Sequence, residues 1–145
     1  MERKGHSTGF YLEALVLITV FLAVILVLTQ IFGLGRLQSR RAGTLTDAVC
    51  LAQNAAEAVS ASHSAGELLS ILDRGGNASG DERAVNAAYG DDMAPDPDGL
   101  YRVNVIWEPD EADPGFVRSV ITVTAGNDDT PVYVLETAVD MGVTG

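Results

Sequence analysis

A long run without charge near the amino terminus constrains this chain more than any other feature of its sequence. The 21 residues from Ala14 to Leu34 include no charged side chain. As an α-helix, a run of this length extends for about 32 Å, which is close to the hydrocarbon thickness of a bilayer. Its large apolar residues fall on every side of the helix, whereas a helix that lies in the membrane surface keeps one polar face. The run therefore predicts one transmembrane helix, which we assign to residues 10–34.

A cleaved secretory signal peptide is the competing interpretation of this run. The apolar core of such a peptide is about 7–15 residues long and is followed by a cleavage site of small residues. The run in this chain is longer, and the segment from Ile31 to Arg36 is IFGLGR, which is a poor site of that kind. A retained helix is therefore favoured. Basic residues lie on both sides of the run, so local charge does not decide its orientation.

Charge is divided unevenly along the 145 residues, whose formal net charge is −11. Residues 42–145 hold four Arg, no Lys and 18 Asp or Glu, a net charge of −14, whereas residues 1–41 have a net charge of +3. The basic residues near the apolar run suit anionic lipid head groups, and the acidic part suits solvent. Nucleic acid is not an expected partner, because binding a polyanion needs clustered Lys and Arg. The basic residues of the first part are Arg3, Lys4, Arg36, Arg40 and Arg41.

The residues before the run form a short basic leader that ends in glycine. Residues 3–9 are RKGHSTG, and Phe10 and the apolar helix follow directly. Glu13 is the one charged residue between Phe10 and Leu34. A carboxylate in this place either lies at head-group level, near the positive end of the helix dipole, or has a function there. The whole pattern resembles the class III signal of type IV pilins and pseudopilins.

The resemblance implies a processing step and an assembly role. In that family a prepilin peptidase removes the leader on the cytoplasmic face, which implies a cut between Gly9 and Phe10 and loss of residues 1–9. The new terminal residue is N-methylated, which implies methylation of Phe10. The acid in the helix is thought to meet the terminal amine of a neighbouring subunit and to set register in the filament, which implies that task for Glu13. A cation and a carboxylate attract strongly at low dielectric.

The position of the acid departs from the family pattern by one residue. The family has its acid at the fifth mature position, whereas a cut after Gly9 makes Glu13 the fourth. A cut between Thr8 and Gly9 restores the fifth position but loses the glycine before the bond. A cut after Gly5 leaves three polar residues at the start of the helix. We predict the cut after Gly9 and a divergent member of the family, since one residue turns a helical side chain by about 100°.

Helical periodicity continues beyond the run, through residues 35–62. No proline occurs from Phe10 to Ala61, which predicts one helix about 78 Å long that is expected to be weakest at its internal glycines. A long helix, half in the membrane and half packed on a small head, is a further resemblance to pilins, and an ordinary amphipathic juxtamembrane helix is the alternative. Residues at spacings of three or four form one stripe. The stripe consists of Leu37, Arg41, Leu45, Ala48, Ala52, Ala55 and Val59, and the glycines are Gly33, Gly35 and Gly43.

The remaining residues, 63–145, predict a small α+β head. Ser64 and Glu67 have the spacing of a capping box that opens a short helix. Another helical turn or two is expected within Asp81–Tyr89. Alternating apolar residues then predict three strands joined by turns, which form an antiparallel meander that the long helix covers. The predicted fold is thus a long N-terminal helix on a three-stranded antiparallel sheet, with strands at Leu100–Glu108, Phe116–Ala125 and Val132–Asp140.

The sequence offers little to build a catalytic or metal centre. His6 and His63 are the only histidines, and Cys50 is the only cysteine, so neither a zinc constellation nor an internal disulfide is expected. The triplet that begins at Asn77 matches a glycosylation sequon, which we interpret as a chance match. We expect no enzyme activity, cofactor or bound metal. Four carboxylates, called the acidic loop below, are interpreted as a solvated turn rather than a calcium site: Asp91, Asp92, Asp96 and Asp98.

These features favour a structural subunit of a type IV pilus or of a type II secretion-like pseudopilus. Its expected partners are the membrane, a prepilin peptidase and other pilin or pseudopilin subunits. It is expected to be a single-pass membrane protein with its head outside the cytoplasm until it is assembled at the cell surface. The alternative is a single-pass anchored protein whose extracytoplasmic head binds a partner and which does not polymerise.

Overall fold

The computed structural model describes residues 4–113 and 115–142. The chain divides into two compact units between Arg41 and Ala42. Residues 1–3 of the predicted leader and the last three residues of the predicted head lie outside the described part. Together the elements confirm the α+β class, with a helix at the amino terminus and an antiparallel sheet in the second unit.

The first element, α1, is a single α-helix from Lys4 to Ala61. It begins before the predicted cleavage position, so the described part of the leader is helical. It also continues through the glycines that were expected to be its weakest points: Gly33, Gly35 and Gly43.

Two threonines in the apolar part of α1 satisfy their hydroxyl groups within the helix itself. Thr19 Oγ1 donates to the carbonyl oxygen of Leu15, and Thr29 Oγ1 donates to that of Ile25, each at 2.8 Å. This i−4 bonding removes the hydroxyl hydrogen from competition with solvent. The two side chains therefore add little polarity to the helix surface, as a lipid-facing segment requires.

The short helix α2 (Ala65–Leu72) begins at the predicted capping box. Ser64 is its N-cap, and the hydroxyl oxygen accepts the Glu67 N–H at 3.2 Å. The Glu67 carboxylate accepts the backbone N–H of His63 at 2.8 Å, one residue before the N-cap. This amide, more than any other group, holds the pKa of Glu67 below its usual value. The cap fixes the direction in which the chain leaves α1.

The sheet has five antiparallel strands rather than the three that were predicted. The expectation of helical turns within Asp81–Tyr89 is wrong, because Ala84–Tyr89 forms a strand. Val85 and Ala87 are buried in this strand and pair with Val105 and Val103 of its neighbour, while Asn86 between them is exposed. The strands, in sheet order, are β1 (Ala78–Gly80), β2 (Ala84–Tyr89), β3 (Tyr101–Pro109), β4 (Phe116–Ala125) and β5 (Pro131–Asp140).

The core of the second unit lies between the last part of α1, α2 and one face of the sheet, called the inner face below. The inner face carries the alternating residues predicted for β3, all of them buried: Tyr101, Val103, Val105 and Trp107. From α1 it receives mainly small residues, called the alanine stripe below: Ala48, Ala52 and Ala55. Leu45, which was predicted to continue the stripe, is exposed.

One long-range hydrogen bond ties α1 to the sheet within this unit. The Tyr101 hydroxyl donates to Asp47 Oδ2 at 2.9 Å, and the tyrosine side chain is only 2 % exposed. Burial, together with the bond to this negatively charged acceptor, raises the pKa of Tyr101 above its ordinary value. The neutral phenol is thus the form that the folded state favours.

We expect Tyr101→Phe to destabilise the head by about 1.5 kcal/mol at pH 7, because a hydrogen bond to a charged acceptor is lost. Urea denaturation of the full chain in detergent, followed by fluorescence of the buried Trp107, measures this. The native tyrosine stabilises the fold fully below pH ~10, and this contribution is lost as the pH rises through its raised folded-state pKa. The difference between the two proteins should therefore shrink above pH ~10. Tyr133→Phe, on the half-buried part of the same face, is the control, and an equal effect there would contradict the assignment.

Candidate functional site

The three residues of the predicted processing and assembly site lie on the first turns of α1. Gly9, Phe10 and Glu13 are all exposed, and the Phe10 side chain has 69 % of its surface free. Phe10 and Glu13 are three residues apart and so share one side of the helix. The Phe10 ring contacts that of Tyr11 edge-on, with centroids 6.2 Å apart. The structure thus brings the site residues together locally, while their roles remain predictions.

No described residue packs against the position that a side chain at Gly9 would occupy. A Cβ atom placed on it would have no neighbour within 4 Å. Glycine inside a helix costs about 1 kcal/mol relative to alanine. The Gly9–Phe10 bond lies inside α1, so the predicted cleavage there would require local unwinding of the helix. Glycine lowers the cost of that unwinding.

Glu13 is exposed and forms no ion pair with any side chain that the structure describes. Its surroundings along the helix are apolar, with Leu12 and Leu15 more than half exposed beside it. A carboxylate in such a setting is costly to bury alone and gains most from a cation brought to it.

Within residues 4–113 and 115–142, nothing covers the apolar run. Its Leu, Ile, Val and Phe side chains from Leu15 to Leu34 are 42–72 % exposed. Among the described residues, α1 is the helix long and apolar enough to cross a membrane, and none of its most apolar stretch is buried. A signal sequence near the amino terminus can pass the same test of length and hydropathy. The run therefore needs an apolar environment that its own fold does not supply.

The acidic loop forms turns that use two of its own carboxylates. Asp92 Oδ1 accepts the Ala94 N–H at 2.9 Å, and Asp96 Oδ1 accepts the Asp98 N–H at 3.0 Å. All four side chains are exposed. Within residues 4–113 and 115–142, no group of three or more His, Cys, Asp or Glu side chains could hold a metal ion. The loop is closed by Gly99, where a Cβ atom would collide with the backbone of Tyr89.

An open groove on the head joins α1, α2 and the acidic loop. Its volume is about 430 Å³. Glu57 and Arg74 supply opposite charges at its wall, and Tyr89 and Met93 supply large side chains. Burial raises the pKa of Tyr89, an effect that the positive charge of Arg74 partly offsets. The groove combines apolar surface with a few polar groups, as small binding sites do.

Asn77, the first residue of the apparent sequon, stabilises the fold through its side chain. The sequence alone did not predict this role. Its side chain is 95 % buried, since only 5 % is exposed. The amide oxygen accepts the Arg74 N–H at 2.7 Å, and the amide nitrogen donates to the Ala88 carbonyl at 3.0 Å. Asn77 therefore ties the turn after α2 to β2. Both ends of the amide are occupied, which supports the interpretation of the triplet as a chance match.

Comparison with known proteins found no matching family model, curated protein or solved structure. The coarse architecture, an apolar N-terminal helix followed by an antiparallel sheet against which the last part of the helix packs, is compatible with a pilin-like shape. The resemblance to type IV pilins rests on this architecture and on residues 3–32.

We expect Asn77→Ala to destabilise the head by about 1–3 kcal/mol, because it removes the hydrogen bonds of a buried side chain to the Arg74 N–H and the Ala88 carbonyl. The matched control is Asn54→Ala on the exposed side of α1, which should change stability by less than about 0.5 kcal/mol. Urea denaturation of the full-length protein in detergent gives both values. Equal effects for the two variants would contradict the clamp that we assign to Asn77.

Proposed function

We propose that this chain is a pilin-like structural subunit of a type IV pilus or of a type II secretion-like pseudopilus. It has no enzymatic role in this proposal. A prepilin peptidase removes residues 1–9, and the mature chain assembles through its N-terminal helix. The observation that carries the proposal is an apolar run with no cover from its own fold, preceded by Gly9, Phe10 and Glu13.

The uncovered run supports both states that assembly requires. Before assembly, lipid surrounds the Leu, Ile, Val and Phe side chains, and each of them gains about 1.5–3 kcal/mol relative to water. In a filament, the same side chains contact the helices of neighbouring subunits. Leaving the membrane then exchanges one apolar environment for another, so the transfer does not expose the run to water.

Processing at Gly9 supplies the cation that Glu13 lacks within the chain. Hydrolysis of the Gly9–Phe10 bond creates an α-amine on Phe10, and N-methylation of this amine preserves its ability to be protonated. Pairing of that amine with Glu13 of a neighbouring subunit compensates both charges where the dielectric is low. Because one pair forms only at one axial offset between two helices, it sets the register.

The proposed topology follows from the same processing step. The basic leader lies in the cytoplasm, where the peptidase acts, and the acidic head lies on the other side of the membrane. Residues 10–34 are the membrane and assembly segment, and residues 35–62 extend the helix into the head at 63–145.

A second candidate function is a single-pass anchored protein that binds a partner with its head and does not polymerise. The groove with Glu57, Arg74 and Tyr89 favours this candidate, since it offers a concave surface with both signs of charge. The two candidates differ in the fate of the leader, which the anchored protein retains.

We expect the native chain to begin at Phe10 and to carry one N-terminal methyl group. Intact-mass measurement and N-terminal sequencing of the protein from its own host test this. A chain that begins at Gly9 would place the cut between Thr8 and Gly9. Gly9→Val should retain the leader, whereas the control Gly33→Ala should be processed normally, since neither glycine has a packing neighbour within 4 Å. An intact Met1, or a start beyond Leu34, would remove the assembly proposal.

We expect Glu13→Gln to insert into the membrane normally but to fail to enter filaments, with incorporation reduced about 100-fold. Breaking a buried ion pair costs about 3–5 kcal/mol, which is enough for that reduction. The measurement is the fraction of the chain in sheared surface filaments or in a purified pseudopilus. Glu57→Gln, an exposed acid on the same helix, is the control.

Crosslinking tests the amine partner directly. The one lysine of the chain is Lys4, so the α-amine of Phe10 is the only primary or secondary aliphatic amine in the mature protein. A carbodiimide should therefore join Phe10 of one subunit to Glu13 of another and produce dimers and longer ladders. Ladders of equal yield from Glu13→Gln would show that a different carboxylate meets the amine.

A further inference from the structure

The two edges of the sheet differ in length and cover. At one edge, β1 has three residues and α2 packs beside it. At the other edge, β5 has ten residues and, within the described part of the chain, pairs only with β4. About half of the N–H and C=O groups of such a strand point away from its one neighbour. We call this side of β5 the open edge.

The inner face of the sheet is incompletely covered where it reaches the open edge. Tyr133 and Leu135 lie on the inner face of β5 and are only half-buried. Their partners across the ladder, Val123 and Ile121 of β4, are fully buried. A further strand beside β5 would continue the core by covering the exposed half of these side chains.

Most devices that protect edge strands from pairing are missing from β5. Pro131 occupies its first position, and the only break in its register with β4 lies between Val123 and Thr124, opposite that end of the strand. From Val132 to Val139 there is no proline, no lysine and no charged residue on the inner face. Natural sheets use such features to prevent strand addition. Their absence leaves eight consecutive residues able to accept a partner.

The charges beside the open edge select the kind of partner. Glu136 lies on the outer face of β5, next to Val134, which is 48 % exposed, and Asp140 follows on the same side. Arg118 of β4 lies on this face diagonally from both acids, so the side of β5 that faces away from β4 carries the unshared negative charge. The surrounding residues 42–145 have a net charge of −14. Like charges directly opposite each other across a ladder are destabilising, and opposite charges are stabilising.

Two of the possible pairings of β5 with a second copy of the chain bring like charges together. A two-fold pairing of β5 with itself that is centred on Glu136 places this acid opposite its own copy. Centring the pair on Leu135 instead leaves the two Glu136 side chains as diagonal neighbours. A partner with basic side chains on the outer face avoids this repulsion.

We infer that the open edge of β5 binds an extended cationic segment of another protein, which adds to the sheet as a sixth strand. The apolar side chains of that segment continue the inner face beside Tyr133 and Leu135. Its Lys or Arg side chains lie on the outer face near Glu136 and Asp140. Backbone hydrogen bonds provide the attraction, and the alternation of apolar and basic residues provides the specificity. The inference goes beyond the assembly role and does not depend on it.

The test uses the full-length chain in nanodiscs of zwitterionic lipid, so that a cationic probe does not bind the bilayer. The probe is an alternating valine–lysine peptide with blocked ends and a fluorophore, ten residues long to match β5. We expect saturable binding by fluorescence anisotropy, which empty nanodiscs do not show. Binding should slow hydrogen–deuterium exchange at residues 131–140 and leave β1 unchanged.

Two N-methylated versions of the probe provide a matched backbone control. Successive residues of a strand direct their N–H groups to opposite edges. Methylation of all valine nitrogens and methylation of all lysine nitrogens therefore block opposite edges of the peptide. One of the two peptides should lose binding at least tenfold, and the other should bind like the parent. An equal effect of both methylations, or of neither, would overturn strand addition.

Variants of the chain test the roles of the two acids on the outer face and of the inner face of β5. The double variant Glu136→Gln, Asp140→Asn should weaken binding about fivefold, as expected for two exposed ion pairs, and the difference should vanish at high salt. The control double variant is Glu57→Gln, Glu82→Gln, which removes as much charge elsewhere and should change binding less than twofold.

Leu135→Lys should abolish binding by placing a charge on the inner face. Equal binding of an alternating valine–glutamate peptide, or concentration-dependent protection of β5 without any peptide, would overturn the cationic partner.

Discussion

The fit between the alanine stripe and the inner face of the sheet is the interaction on which the folded head depends. An alternating sheet buries one face only if another element covers it, and α1 is the long element available. Ala48, Ala52 and Ala55 are buried in one core with residues of β2, β3 and β4. The bond from Tyr101 to Asp47 then fixes the position of the helix on that core.

The same helix supports a different kind of surface further towards its amino terminus. There the side chains are large and exposed, and no described residue of the chain covers them. Glu13 likewise has no ion-pair partner among the described side chains, just as the leucines of this segment have no apolar cover. A helix whose charge and apolar surface both lack partners within the described chain is suited to a protein that moves from the membrane into a filament, as the assembly proposal requires.

The sequence predicted the elements whose periodicity is strong and missed those that depend on distant contacts. The apolar run, the capping box and strands β3 to β5 follow from local pattern. In contrast, the segment AVNAAY is rich in alanine, which favours helix, and it becomes β2 only because Val85 and Ala87 complete the inner face beside β3. The clamp at Asn77 and the tyrosine bond to Asp47 join residues whose proximity no local pattern encodes. Gly9, Phe10 and Glu13 lie within two turns of α1, and the processing and assembly roles assigned to them stay predictions.

The two kinds of surface on α1 impose different rules for sequence change. Under the proposed function, exchanges among Leu, Ile, Val and Phe within residues 14–34 preserve the apolar surface that contacts lipid or a neighbouring helix. Such substitutions should have little effect, so we expect low sequence identity between homologues in this segment. Ala52, in contrast, is fully buried in the core of the head, where a change of side-chain volume is costly. Homologues of this chain should therefore keep small residues at the alanine stripe, while the identities of the apolar residues within 14–34 vary.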